Sequence, residues 1–123
     1  MGMELRVLGS SSSGNCYILD NGNEALIIEA GIRFIDVKKA LDFNIRKVVG
    51  CLITHQHNDH AKYAKAMVDC GFHVLALPEV IESKELKGSR VKAIKIGSGY
   101  LLGGFRVIPF LSLIHISEPT RQE

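Results

Sequence analysis

The sequence contains no C-x-x-C pair, and its three cysteines are an odd number, so neither a disulfide framework nor a zinc ribbon is supported. Cys16, Cys51 and Cys70 are scattered along the chain. Free thiols suit a reducing compartment, which favours a cytoplasmic location. We expect all three cysteines to be small buried residues of the core.

Long apolar runs and charge runs are also missing. No stretch approaches the length of a membrane span, and the first residues lack the basic and apolar segments of a signal peptide. Gly2 would suit myristoylation, but Arg6 stands where that motif needs Ser or Thr. The formal net charge of +2 comes from scattered lysines and arginines, so charge indicates neither a nucleic-acid nor a membrane partner.

The chain does have an ordinary globular composition, 46% hydrophobic and 23% charged over 123 residues, which fits one domain. We interpret the Gly-Ser-rich run 9–15 as a flexible turn and residues 20–23 as a hairpin turn. Hydrophobic periodicity predicts strands at 4–8, 16–19, 25–28, 48–53, 72–77, 91–96, 100–102 and 104–110, and helices at about 33–43, 61–70 and 78–87. This order predicts an α/β chain with a mixed sheet.

Three of the five histidines lie with one aspartate inside six residues: His55, His57, Asp59 and His60. Imidazole and carboxylate are usual ligands of divalent first-row metals. The cluster directly follows the predicted buried strand 48–53, so its side chains project into a loop before a helix. His55 and His57 can face one ion, while Asp59 and His60 can reach a second beside it. An exposed polar loop without metal is the alternative explanation.

The cluster resembles the H-x-H-x-D-H signature of the metallo-β-lactamase-fold superfamily. Residues 12–16, Ser-Ser-Gly-Asn-Cys, resemble the opening loop of its YycJ/WalJ-like subfamily, and residues 26–31, Leu-Ile-Ile-Glu-Ala-Gly, resemble the L-I-D-A-G strand end of that subfamily. The resemblance covers about residues 3–110. It implies a four-layer αββα sandwich, of which 1–110 would form roughly the first half, a mixed sheet plus helices.

Carried over to this chain, the resemblance implies that His55 and His57 ligate a first ion and that Asp59 and His60 ligate a second. Asp59 would also have the catalytic task of orienting the nucleophilic water. The cofactor would be one or two divalent ions, Zn²⁺ or Mn²⁺.

The resemblance also implies residues that support the metal loop from behind. Ser13 and Asn15 would border the site. Glu29 stands where the family has Asp, at a position whose carboxylate orients the loop that carries the ligands. An extra methylene at this position could shift the loop or be absorbed by it.

The family takes a further His, a bridging Asp and a last His from downstream, where this chain has only His73, His115 and Asp69. We expect His73 on a strand face and Asp69 on a helix surface. Residues 111–123 resemble an in-frame translation of a transposase mosaic end and sequencing adapter, and His115 falls one residue late for a ligand. We therefore expect a non-native tail after residue 110, a mostly missing second sheet, and an apolar face of the first sheet left open to water.

For the intact protein the resemblance implies a metal-dependent hydrolase, with a phosphodiester of nucleic acid as its substrate and therefore a nuclease-like activity. A thioester or lactam hydrolase of the same fold is the alternative among enzymes. A different class of explanation is an inactive fragment that keeps only part of a metal site. A nuclease would lose activity steeply with salt, whereas a thioesterase would not.

Overall fold

A computed structural model describes residues 2–110 and 113–117. Its larger sheet has six strands in the order β1 to β6, antiparallel from β1 to β3 and parallel from β3 to β6. The strands are β1 Glu4–Ser11, β2 Gly14–Asp20, β3 Ala25–Ile28, β4 Val48–Ile53, β5 Val74–Ala76 and β6 Val91–Ala93. The predicted mixed sheet is confirmed, because hairpins join the first strands and helical crossovers join the later ones.

Helices cover one face of this sheet. They are α1 Phe34–Ala40, α2 Asn58–Ala61, α3 Ala64–Asp69 and α4 Pro78–Ser83, with a short 3-10 turn at Ile45–Lys47. Val37, Met67 and Val80 are fully buried against strand residues such as Ile27 and Cys51. This helix-covered face forms the larger of the two apolar cores.

A second, antiparallel sheet packs on the opposite face. It consists of β7 Tyr100–Leu102, β8 Phe105–Phe110 and β9 Leu113–Ser117. Phe105 and Val107 of the predicted hairpin are fully buried against Leu26, Leu52 and Leu75 of the first sheet.

We expected the face of the first sheet opposite the helices to lie open to water. This is wrong over β3, β4 and β5, which the second sheet covers. Near β1 the expectation holds, since Leu5 and Val7 are 56% and 55% exposed. Residues 111, 112 and 118–123 of the predicted non-native tail lie outside the described residues, and the origin of that tail stays a prediction.

Several predicted boundaries move once strands pair. The Gly-Ser run is mostly strand: β1 continues through a bulge to Ser11, which pairs with Gly14, so only residues 12 and 13 turn. The helix predicted over 33–43 ends at Ala40, because Asp42 and Phe43 adopt left-handed backbone, and Phe43 is 60% exposed. The helix predicted over 78–87 ends at Ser83, and the strand predicted over 91–96 ends at Ala93.

The helix predicted over 61–70 is divided into α2 and α3 by a contact from the first sheet. In a continuous helix, Tyr63 N would donate to Asp59 O. Here Asp59 O accepts a bond from the Asn15 side chain at 3.1 Å, and Tyr63 N donates to Ala30 O at 2.9 Å. The last turn nevertheless ends as predicted at Gly71, whose φ of +100° suits a helix C-terminus.

The cysteines follow the expectation in part. All three are free, and Cys16 and Cys51 are buried, whereas Cys70 is only half-buried. Burial, with the nearby charge of Glu29 as a smaller cause, raises the pKa of the Cys16 thiol to about 12. Across the described ranges, no helix is long and apolar enough to cross a membrane.

Asp20, at the end of β2, ties the amino-terminal hairpin to the 3-10 turn. Its buried carboxylate accepts bonds from Lys47 Nζ at 2.7 Å, Gly22 N at 2.8 Å and Arg6 Nη2 at 3.1 Å. Burial opposes ionisation of this group, but the bonds from Lys47 and Gly22 and the charges of Lys47 and Arg6 together hold the pKa of Asp20 below its usual value. The charged form is therefore the one that the fold stabilises.

We expect Asp20→Asn to lower the free energy of unfolding by about 2 kcal/mol, because the half-buried cations of Lys47 and Arg6 lose their partner. The wild-type contribution should be complete above the usual carboxyl pKa and should disappear as pH falls through the lower folded-state pKa. Urea unfolding between pH 2 and 7 measures both. Asp36→Asn is the control, since its exposed pair with Arg33 should contribute less than about 0.5 kcal/mol. Parallel pH profiles for wild type and Asp20→Asn would contradict the assignment.

Candidate metal centre

The histidine loop begins where β4 ends, at the carboxyl edge of the parallel strands. Ile53 is the last buried residue of the strand, and Thr54 to His57 leave the sheet before α2 starts at Asn58. The carbonyl of His57 accepts bonds from His60 N and Ala61 N, both at 2.9 Å, which starts the helix. A helical turn thus follows the extended His55-Gln56-His57 segment and brings His60 back over His55, with ring centroids 4.5 Å apart.

A sharp corner after β3, residues 29–31, holds this loop through backbone hydrogen bonds. Glu29 N donates to Leu52 O at 2.7 Å, and Ala30 N donates to His60 O at 2.6 Å. Gly31 lies so close to the loop that a Cβ there would overlap the backbone carbonyl of Asp59. The corner therefore determines where the loop can lie.

The Glu29 side chain adds a buried carboxylate beneath the loop. It accepts bonds from Thr54 N at 3.1 Å and from the Thr54 hydroxyl, and the side chain of His55 is in turn bonded to that hydroxyl, with Nδ1 at 2.8 Å from Oγ1. Because the hydroxyl hydrogen points to Glu29, the hydroxyl oxygen accepts from His55 Nδ1–H. This leaves the Nε2 lone pair of His55 available to a cation.

Glu29 also lies next to the second imidazole. Its Oε1 is 3.4 Å from His60 Nδ1, a buried nitrogen that has no aligned hydrogen-bond partner among the described residues. Glu29 itself is 5% exposed and has a φ of +69°, an uncommon conformation for a residue other than glycine. Strained backbone and a buried carboxylate between two imidazoles are features that cluster at functional sites.

Among the described residues, possible ligand atoms of Glu29, His55 and His60 lie within 4.8 Å of one another. This differs from the predicted grouping. Asp59 lies at the edge of the group, with Oδ2 3.7 Å from His60 Nε2, while the exposed His57 is not in the group. Imidazole and carboxylate donors at this spacing are of the kind that bind divalent cations.

The two predicted bordering residues have different surroundings. Asn15 is buried, and its side-chain nitrogen lies 3.3 Å from Asp59 Oδ2 and 3.4 Å from His60 Nε2. Ser13 is exposed and bonds to Ser11 across the turn. Of the two described side chains, Asn15 is the one that contacts the histidine loop.

Two residues with contacts to the loop had no role in the sequence interpretation. Thr54 links Glu29 to His55, and its place directly before the first histidine is the signal that could have found it. Lys84 Nζ donates to Asn58 Oδ1 at 2.5 Å from the end of α4, and no sequence pattern indicates this contact.

His73 and Asp69, the possible further ligands downstream of the loop, lie apart from the site. His73 precedes β5, which runs parallel to β4 with Cys51 opposite Val74, so it is at the other end of these strands from the loop. It is exposed and its carbonyl accepts Cys51 N at 2.8 Å. Asp69 is exposed at the end of α3, as predicted.

Comparison with known proteins connects this geometry to a family. Residues 10–69, from the Gly-Ser turn through the histidine loop to the end of α3, match the metallo-beta-lactamase superfamily. This segment belongs to the metallo-beta-lactamase superfamily. The match agrees with the resemblance found in the sequence, since the matched segment contains the corner at 29–31 and all four predicted ligands.

The chain is 35% identical over 65 residues to the exodeoxyribonuclease YycJ of Bacillus anthracis. That match covers 50% of this chain and 25% of the relative. The fold is similar to that of the metallo-β-lactamase-fold protein YhfI from Bacillus subtilis, with a TM-score of 0.73, 15% identity, and coverage of 98% of this chain and 60% of YhfI. A metallo-β-lactamase from Staphylococcus aureus gives a TM-score of 0.68 at 14% identity, covering 87% of this chain and 34% of that protein. The chain thus has the metallo-β-lactamase fold and spans a quarter of the curated relative.

Gly31→Ala should displace the histidine loop, because the new Cβ would overlap the Asp59 carbonyl and approach Asn15 N at 2.7 Å, both of which are backbone atoms. We expect a loss of about 1–3 kcal/mol in unfolding free energy, typical of overpacking, together with weaker zinc binding. Urea unfolding and zinc competition with a chelating dye measure the two effects. Gly99→Ala is the control, since its Cβ would meet only Ile108 at an ordinary 3.9 Å. Equal behaviour of the two variants would rule out the close approach.

Glu29→Gln should weaken zinc binding about 10- to 100-fold, the range typical for residues that orient metal ligands. The amide offers one oxygen in place of two, so Thr54 N and the Thr54 hydroxyl cannot both keep their acceptors. Glu29→Asp restores the family residue and should keep or raise zinc affinity. The matched control is Glu82→Gln on the exposed face of α4. A large loss in Glu29→Asp would instead show that the longer side chain is required.

Proposed function

We propose that the intact protein is a metal-dependent hydrolase whose substrate is a phosphodiester of nucleic acid. The observation that carries the proposal is the cluster of imidazoles and carboxylates at the end of β4, packed on the corner at 29–31. Its donors suit one or two divalent ions, and membership of the metallo-β-lactamase superfamily supports hydrolysis as the reaction.

In this proposal His55 and His57 hold a first ion, and Asp59 and His60 hold a second. Glu29 has a supporting role, because both of its oxygens already accept bonds from Thr54. The oriented Nε2 of His55 supports its assignment as a ligand. His57 is exposed and would have to turn its ring toward His55.

A bound divalent ion would lower the pKa of a water molecule and stabilise negative charge that develops on the substrate. Asp59, whose side chain is 29% exposed, would accept a hydrogen bond from the attacking water and orient it. The buried carboxylate of Glu29 would keep the imidazoles in the tautomers that present Nε2 outward. These tasks require the loop and corner to remain rigid together.

The nucleic-acid substrate is supported by the likeness to a protein named as an exodeoxyribonuclease. The matched region is short relative to that protein, so the likeness supports the substrate class and not a particular cleavage pattern.

Asp59→Asn should lower turnover of a DNA phosphodiester about 100-fold or more, because it removes the charge that orients water and holds the ion. The assay uses the intact protein that contains residues 1–110, with Zn²⁺ or Mn²⁺ added. EDTA should abolish the turnover. Asp69→Asn is the matched control, being an exposed aspartate at the end of α3. Unchanged turnover in Asp59→Asn would contradict the assigned role.

Salt dependence separates the substrate classes. Turnover of DNA should fall steeply as the salt concentration rises, since phosphate contacts release counterions. Efficient turnover of a thioester or a lactam, insensitive to salt and without DNA cleavage, would favour the alternative hydrolases of this fold.

A partial metal site is the remaining alternative for the 123-residue chain itself. Two histidines leave a first ion below the three protein ligands usual at catalytic zinc sites. On this hypothesis the chain binds zinc weakly and has no appreciable turnover. Two tightly bound zinc ions per chain, lost in His115→Ala, would contradict both this hypothesis and the prediction of a non-native tail.

A further inference from the structure

A cleft of about 660 Å³ opens between the two sheets at the amino end of the parallel strands. Val49, near the start of β4, lines this cleft, whereas the histidine loop follows the last residue of the same strand. The chain from Val49 to His55 spans roughly 20 Å at about 3.3 Å per residue, so one small ligand cannot contact both places. Volumes of this size are typical of small-molecule sites. The cleft is therefore separate from the candidate metal centre.

One wall of the cleft is cationic because of the register between β5 and β6. Leu75 pairs with Lys92, and just before the two strands Val74 N donates to Arg90 O at 3.0 Å. Alternate residues of a strand face the same side of a sheet, so Arg90 and Lys92 lie on the face where Leu75 enters the core between the sheets. The imidazole of His73 lines the same cleft. Charges that are scattered in the sequence thus meet in the fold.

No carboxylate neutralises this wall in the part of the chain that the structure describes. The described lining residues include neither Asp nor Glu, and Arg90 and Lys92 have no ion pair among the described residues. Glu24 contacts the β7–β8 turn, but its carboxylate accepts a bond from Gly104 N at 2.6 Å and does not line the cleft. Lys92 Nζ lies 5.4 Å from the centre of the Tyr100 ring in the second sheet. Both cations can therefore neutralise an anion in the cleft.

Neutral donors and an apolar floor complete the cleft. Ser89, in the turn before β6, offers a hydroxyl. The hydroxyl of Tyr100 accepts a bond from Lys95 N at 2.8 Å, which leaves its own hydrogen for another acceptor. The floor contains the buried side chains of Leu75 and Leu102. A guanidinium, an ammonium and hydroxyls suit the several oxygens of a phosphate, and the leucines suit an apolar group attached to it.

We propose that this cleft is a binding site for an organic phosphate. The phosphate lies against Arg90 and Lys92, and its apolar part packs on Leu75 and Leu102. Two fixed cations match the charge of a phosphate monoester, between −1.5 and −2 at neutral pH, better than the single charge of a carboxylate. A nucleotide has both the charged and the apolar part, whether it is free or belongs to a nucleic-acid strand.

Titration of the 123-residue chain with deoxythymidine monophosphate tests the site by NMR, with EDTA present so that no metal ion brings the phosphate to the histidine loop. Amide chemical shifts should change at residues 89–92 and 100–103 and not at residues 54–60. Thymidine, which lacks the phosphate, and inorganic phosphate, which lacks the apolar part, should each bind at least about tenfold more weakly. Shift changes confined to residues 54–60, no shift changes at millimolar ligand, or either fragment binding as tightly as the monophosphate would overturn the proposal.

A pair of double variants tests the cationic wall. Arg90→Gln with Lys92→Gln should weaken binding of the monophosphate about tenfold or more, because two charged donors are lost. Lys39→Gln with Lys65→Gln is the matched control, since it removes two charges from exposed positions on α1 and α3, on the other face of the first sheet. All four side chains belong to exposed residues, so both proteins should keep the wild-type fold, which their amide spectra without ligand verify. Equal affinities in the two double variants would overturn the proposal.

Salt dependence in the wild-type chain gives a measurement that needs no variant. Rising salt should weaken binding of the monophosphate and leave binding of thymidine unchanged, because salt screens the attraction between exposed charges. Binding of the monophosphate that is insensitive to salt would contradict the cationic wall as the recognition element.

A short oligodeoxythymidylate separates the two sources of the phosphate. If a nucleic-acid strand is the ligand, the oligonucleotide should bind the cleft about tenfold or more tightly than the monophosphate, with a steeper dependence on salt. If a free nucleotide is the ligand, the monophosphate should bind at least as tightly as the oligonucleotide. The result does not depend on the proposed hydrolase function, since EDTA removes metal ions from every sample.

Discussion

The contact between the corner at 29–31 and the histidine loop is the interaction on which the site depends. Backbone bonds join Glu29 to Leu52 of β4 and Ala30 to His60 of the loop, and the absence of a side chain at Gly31 lets the Asp59 carbonyl approach. The same contact divides α2 from α3, because Ala30 O and the Asn15 side chain engage the groups that a continuous helix would pair with each other. One corner therefore shapes the loop, the helix after it and the orientation of two imidazoles.

The rest of the fold makes this corner rigid. Both faces of β3 and β4 are buried, one under the helices and the other under β7 and β8, so the strands that carry the corner and the loop cannot move independently. Asp20 fixes the opposite end of β2 to the 3-10 turn through Lys47. Ligands that leave the ends of such strands are placed by the core and not by the loop alone.

Much of the architecture could be predicted from sequence because its signals are local. The bounds of β3 and β4 are those predicted, since each is a short apolar run between turn residues. The predictions that moved were decided by distant partners. The residue types of the Gly-Ser run predict a turn, but its first residues pair with β2. The helix predicted over 61–70 is interrupted where Tyr63 N donates to Ala30 O, a contact that no local pattern indicates. The covering of Leu26, Leu52 and Leu75 by Phe105 likewise needs the hairpin to fold back across the sheet.

That a loop of possible metal ligands follows a buried strand could be predicted from the residues alone, because spacing and residue chemistry are properties of the chain. The sequence also identified Glu29 and Asn15 by their place in a resemblance. What those two side chains touch became visible only in the folded chain. Glu29 bonds to Thr54 and lies beside His60, and Asn15 lies between Asp59 and His60, contacts that join residues up to 45 positions apart. Such contacts depend on strand register and on the turn at 29–31, which no local pattern of residues encodes.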